Sequence, residues 1–211
     1  SSSSTDVEYS TESVASNIIG DKVNITSGKN ISLLGSHVQA NTEGNITADG
    51  NITQAGVKDI HYSFHETSKR GAFGLTKKTK SQESYQEEAV KSATVAGEQG
   101  AYYDAKHDLV LEGVNVVSTG KVTLQGKNIS LKPLETTSWT EVKEKKRGFA
   151  GSIGNGGVSV SYGTDKKSQK DTQKTQNISE ITSGKTLTIA AEETLTGSSV
   201  NLYGREGIRV T

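Results

Sequence analysis

The sequence predicts an all-β chain: a right-handed parallel β-helix (a solenoid) with two β-hairpin-like arms inserted between its coils. Three observations lead there. The stretch Ile31–Val38 returns as Leu109–Val116 and again as Glu193–Val200, which sets Leu33, Leu111 and Leu195, then Gly35, Gly113 and Gly197, then Val38, Val116 and Val200 in register. Such self-similarity marks repeat architecture. Short alternating segments begin about 6–8 residues apart, too close for helices of ordinary length. Only 31% of residues are hydrophobic and 5% aromatic, against roughly 45–50% apolar in ordinary globular chains. That composition fills a thin core in which each strand contributes one or two inward side chains.

The elements follow in order. Residues 1–16 are polar, and they sit where the later copies place a returning arm, so they read as a truncated return arm. Residues 17–56 carry strand units such as Val23-Asn24-Ile25-Thr26, Asn30-Ile31-Ser32-Leu33 and Asn51-Ile52-Thr53. Apolar and polar residues alternate, and Gly, Asn, Asp or Ser punctuate. Three such strands make a coil of roughly 20 residues, as solenoids do.

Residues 57–95 break that text. Ile60, Tyr62 and Phe64 alternate along an outgoing arm, Ser68-Lys69-Arg70-Gly71 follows, and Lys77–Glu88 returns. The half from Gln82 to Thr94 also admits a helix, because Glu87 and Lys91 are spaced i,i+4. Residues 96–134 return to solenoid text until Pro133, which cannot donate to a strand ladder. Residues 135–181 repeat the excursion. Trp139 aligns with Tyr62, Lys146-Arg147-Gly148 with Lys69-Arg70-Gly71, and Lys167-Ser168-Gln169 with Lys80-Ser81-Gln82. Asn155-Gly156 beside Val158–Tyr162 predicts a hairpin turn. Residues 182–211 are solenoid text again, without a cap. The expectation is a fragment whose solenoid continues at both ends.

The composition sets bounds on chemistry. With 24 basic and 24 acidic residues the net charge is zero, which argues against a nucleic-acid partner. No apolar run reaches the roughly 18–20 residues of a membrane helix, and Ser1–Thr5 does not resemble a signal peptide. With no Cys, disulfides and thiolate metal sites are excluded. His61 and His65, with Asp59, share a strand face, but no ligand motif includes them, and no metal or cofactor is expected. Asp104 and Asp108 form no recognisable catalytic set, and no catalytic residue is assigned. Gly148–Gly157 lacks the Lys-Ser/Thr of a phosphate loop and reads as a hairpin tip.

Asn24, Asn30, Asn45, Asn51, Asn128 and Asn177 each open an Asn-x-Ser/Thr triplet. They read either as glycosylation acceptors or, more simply, as left-handed turn residues between coils. The surface to watch is on the arms: Tyr62, Lys69, Arg70, Trp139, Lys146 and Arg147. Their basic clusters suit an anionic cell-surface polysaccharide or lipid headgroup. The same lysines also serve as ordinary edge protection against strand-to-strand aggregation. Tyr62, Phe64 and Trp139 are expected to pack an arm against the solenoid flank.

Solenoid strands, an aromatic-bearing arm, Lys-Arg-Gly-x-x-Gly and a Lys/Gln/Ser-rich return together resemble the haemagglutinin repeat of filamentous haemagglutinin-like exoproteins. These are secreted by two-partner systems of Gram-negative bacteria, and include adhesins and contact-dependent growth-inhibition exoproteins. The resemblance implies a β-helical filament at the cell surface, exported by an outer-membrane transporter. Three functions follow as expectations: a structural rod segment, a binding module whose arms recognise a receptor or glycan, and a β-helix polysaccharide-active enzyme. The first is preferred, and no enzymatic activity is expected.

Overall fold

In the computed structural model, residues 1–71, 74–154 and 157–211 are described. Every helix-length element among them is a strand. In chain order these are β1 (Ser2–Ser10), β2 (Asn17–Ser27), β3 (Ile31–Leu34), β4 (His37–Ala48), β5 (Ile52–Ala55), β6 (Val57–Arg70), β7 (Thr76–Val90), β8 (Ser92–Ala96), β9 (Gly100–Ala105), β10 (Asp108–Glu112), β11 (Val114–Ser118), β12 (Val122–Lys132), β13 (Leu134–Gly154), β14 (Gly157–Asn177), β15 (Ser179–Ser183), β16 (Thr186–Gly197), β17 (Val200–Gly204) and β18 (Gly207–Val210). Gln82–Thr94 is strand, not helix. Lys91, instead of closing an i,i+4 pair, lies 3.8 Å from the Glu180 carboxylate. The Asn155-Gly156 turn and the Ala72-Phe73 pair lie outside the described residues.

The strands fall into two compact units. One comprises Glu12–Asp59, Glu88–Thr136 and Thr175–Thr211. Its strands pair in parallel, in three columns. The first half of β2 pairs with the first half of β4, then come β8, β11, β15 and β17. The second halves of β2 and β4 lead to β9, then to the first halves of β12 and β16, then to β18. β3, β5, β10 and the second halves of β12 and β16 form the third. The chain visits the three columns in turn, so each level uses about 20 residues, the repeat length common among stacked solenoids.

Register puts like over like. Ile31, Ile52, Leu109, Ile129 and Leu195 stack in one line. Val38, Thr94, Val116, Ile181 and Leu202 form another. Inward residues of the middle levels are almost wholly buried, among them Ile46, Ile52, Leu109, Leu111, Val116, Leu124 and Leu187. Alternation explains how so few apolar residues suffice, since every second residue of these strands points inward.

Gly35 and Gly113 adopt φ of +55° and +59°. A Cβ on Gly35 would lie 2.7 Å from Val57 Cγ2, and one on Gly113 2.6 Å from Leu134 Cβ. Both the backbone angle and the close approach require glycine. The third copy departs from this pattern. Here the structural register runs two residues off the sequence alignment: Leu195 pairs with Ile129 in the line of Ile31 and Leu109, Gly197 with Leu131 in the line of Leu33 and Leu111, and the left-handed position falls on Ser199, with φ +46°.

The asparagines do not occupy left-handed turns, because Ser199 is the only described non-glycine residue with positive φ. All but Asn177 form side-chain ladders instead. Asn45 Nδ2 donates to Asn24 Oδ1 at 2.9 Å. Asn30 Oδ1 accepts from Asn51 N–H, Asn51 Oδ1 from Asp108 N–H, and Asn128 Nδ2 donates to Asp108 Oδ1, at 2.8–3.0 Å. Thr194 Oγ1 donates to Asn128 at 2.6 Å.

One polar cluster lies inside the columns. Tyr103 OH donates to Gln54 Oε1 at 2.6 Å and its oxygen lies 2.7 Å from the Thr94 hydroxyl, and Gln54 Nε2 donates to Ser92 Oγ at 3.0 Å. Burial pushes the Tyr103 phenol well above its usual range.

The second unit comprises Ser1–Thr11, Ile60–Glu87 and Thr137–Lys174. It is one five-stranded sheet in the order β1-β6-β7-β13-β14, antiparallel at the β1–β6 and β7–β13 junctions.

Candidate functional site

The sequence suggests two separate hairpins; the structure joins them edge to edge. β7 returns from the first excursion and pairs with β13 of the second, with Tyr85 opposite Trp139 and Lys78 opposite Lys146. β1 pairs with β6 in the matching register, with Tyr9 opposite Tyr62.

The two aligned aromatics are held differently. Tyr62 OH donates to Glu83 at 2.7 Å, which raises the phenol pKa. Trp139 stacks on Tyr85, with centroids 5.9 Å apart and 15° between planes, and Lys170 Nζ sits 4.3 Å from its ring centroid. Glu83 and Lys170 occupy matching places in the two return strands. A phenol faces a carboxylate in one excursion, and an indole faces an ammonium in the other, as a π face prefers. The partners recorded for Tyr62 and Trp139 therefore lie within the sheet, where a solenoid flank was expected.

The turn end of the sheet carries the charge. A groove of about 630 Å³ is lined by Lys69, Arg70, Lys77, Lys78, Lys146 and Arg147, with Phe149 and Asp165 among its other walls. Both Lys-Arg-Gly copies enter one groove, which brings together all four predicted basic residues. Lys77 stands directly opposite Arg147 and Lys78 opposite Lys146, and directly opposed like charges oppose pairing. Glu144 answers part of this, 3.1 Å from Lys78 and 3.2 Å from Lys146, and these two cations hold its carboxyl below the usual range. Arg147, then partial burial, Lys166 and Lys77 push the Lys145 ammonium below its ordinary range. Phe149 is half exposed and packs on Tyr162, with centroids 5.1 Å apart. Sequence reading missed Lys77 and Lys78 as partners of Arg147 and Lys146, because their meeting depends on the β7–β13 junction.

The remaining candidates are placed as follows. His65 Nδ1 contacts the Asp6 carboxylate across the β1–β6 junction. Asp59 accepts from Ser13 N–H at 2.7 Å. No group of three or more metal-capable side chains occurs among the described residues. Asp108 is part of the asparagine ladder, and Asp104 lies opposite Thr47 and Gln125 on adjacent strands. Among the Asn-x-Ser/Thr triplets, the amide nitrogens of Asn45, Asn128 and Asn177 already donate, the last to Leu134 O and Thr136 Oγ1.

Comparisons with known proteins bear on this architecture. The chain is 29% identical over 185 residues to the tRNA nuclease CdiA-2 of Burkholderia pseudomallei (strain 1026b), a match covering 83% of this chain and 6% of that protein. It thus spans a small fraction of that relative's length. No solved structure matches. The family model described as hemagglutinin repeat matches residues 1–146 and again 73–211. These two overlapping matches take in the whole chain and both Lys-Arg-Gly excursions, and the chain belongs to the hemagglutinin repeat family.

Proposed function

We propose that this chain is a structural rod segment of a large secreted exoprotein at the surface of a Gram-negative bacterium. Its three parallel columns would form a right-handed β-helix, with residues 57–95 and 135–181 as inserted arms and residues 1–16 as a returning strand. The observation that carries the reading is the like-over-like register of the columns. Each level presents to the next the surface it received from the last, and adds about 4.8 Å of length. The parent would be exported by an outer-membrane transporter of the two-partner type and serve adhesion or contact-dependent delivery of a toxin. The chain itself is read as non-catalytic. Deleting residues 12–211 from the parent should leave export intact and shorten the filament seen by electron microscopy. An unchanged filament length would sink the proposal.

The crowded groove favours a second reading, in which the sheet's turn end binds an anionic polysaccharide. Glu144 bridges Lys78 and Lys146, but the opposition of Lys77 to Arg147 weakens the sheet unless an anion lies between them. Replacing Lys77 and Arg147 by Ser should therefore raise thermal stability while lowering binding to an immobilised sulfated polysaccharide about tenfold, more at low salt than high. Edge protection alone would leave polysaccharide binding unchanged.

A further inference from the structure

β14 forms one edge of the antiparallel sheet, and its residues 159–176 are exposed. The two junctions already inside the sheet show what such an edge accepts. At both, the outgoing strand of an excursion meets, antiparallel, a strand that precedes it in the chain, with an aromatic pair in register: Tyr9 with Tyr62, and Tyr85 with Trp139. β14 is the returning strand of the second excursion. The alignment of Lys80-Ser81-Gln82 with Lys167-Ser168-Gln169 puts Thr172 at the place of Tyr85.

The geometry points to the free edge of β14 as a docking surface for one kind of partner: a hemagglutinin-repeat strand of the outgoing type, like β13, added antiparallel with its Trp139 position opposite Thr172. Strand addition of this kind draws its affinity from main-chain hydrogen bonds and its selectivity from the side chains it aligns. Charge supports the register. In it, Lys167 faces the Glu144 position, Lys170 the Glu141 position and Asp165 the Lys146 position. Lys166 alone meets a like charge, at the Lys145 position. At the existing junction Lys80 faces Glu144, but Glu83 faces Glu141. Where β7 has that glutamate, β14 has Lys170, so the free edge is better matched to this partner than the occupied one. The lysines that discourage indiscriminate pairing select a strand bearing glutamate at these spacings. The proposal stands apart from the rod and polysaccharide readings, and its failure leaves both untouched.

The test uses the full chain and a synthetic peptide of residues 134–148. The peptide should slow hydrogen exchange of β14 amides, and a peptide with Glu141→Lys and Glu144→Lys should not. Because the chain has no cysteine, register can be read by disulfide trapping. Asp171→Cys in the chain should couple to a Thr140→Cys peptide at least about tenfold faster than to Ser138→Cys or Val142→Cys peptides, since only the facing pair meets the distance a disulfide needs. Absence of slowing in β14, slowing that survives charge reversal, or equal trapping by the three peptides would each overturn the proposal.

Discussion

Tyr103 stands in a column between Ile46 and Leu124, and its hydroxyl would be stranded there without Gln54 and Thr94. Removing that hydroxyl with Tyr103→Phe leaves Gln54 Oε1 one donor short. It should cost about 1–3 kcal/mol in urea unfolding, the price of an unmet buried polar group. The pH dependence has a definite sign. The folded phenol titrates above its usual range and the unfolded one near 10. Between those values the unfolded chain loses a proton the folded chain keeps. The Tyr103 contribution is therefore complete below about pH 10 and declines above it, so wild type and Tyr103→Phe should converge in stability as pH rises past 10. Nothing in the sequence pairs Gln54 with Tyr103. Gln54 sits where its column otherwise holds Leu33, Leu111 and Leu131, so pattern alone marks it as an exception without naming its partner. The asparagines were legible as a recurring feature but misassigned, because strand-ladder and turn roles draw on the same short amide side chain.

At the scale of elements, the antiparallel sheet depends on contacts between strands far apart in sequence. Truncating Tyr85 and Trp139 singly and together should give a coupling energy of about 0.5–1.5 kcal/mol, as offset aromatic pairs do. Coupling near zero would mean that the register rests on the backbone alone. Both excursions were legible as outgoing and returning strands, since Ile60, Tyr62 and Phe64 alternate and the Lys-Arg-Gly text repeats. The β7–β13 and β1–β6 junctions were not. These strands are polar on both faces, for instance Lys77–Ser84 and Lys143–Arg147, and a two-sided polar strand specifies its neighbour weakly. The groove inherits that blindness, because four of its cations face each other only through the β7–β13 pairing.

At the scale of the molecule, neutrality conceals a division. The unit with the antiparallel sheet holds 13 Lys and Arg against 9 Asp and Glu, and the unit with the parallel columns 11 against 15. The columns contain the buried apolar cluster from Val23 to Ile189, so they should fold without the other unit. Replacing residues 60–87 and 137–174 by short Gly/Ser linkers should preserve β-sheet circular dichroism and keep Tyr103 shielded from solvent quenchers. Loss of either would show that the columns need the excursions.

The stacked register also bears on inheritance. Because each level meets its neighbours through the same inward positions, a gene that gains or loses a whole repeat by unequal recombination creates no new interface. Copy number can change without disturbing the stacked register, while a frame-preserving insertion of any other length must be absorbed in a turn or an excursion.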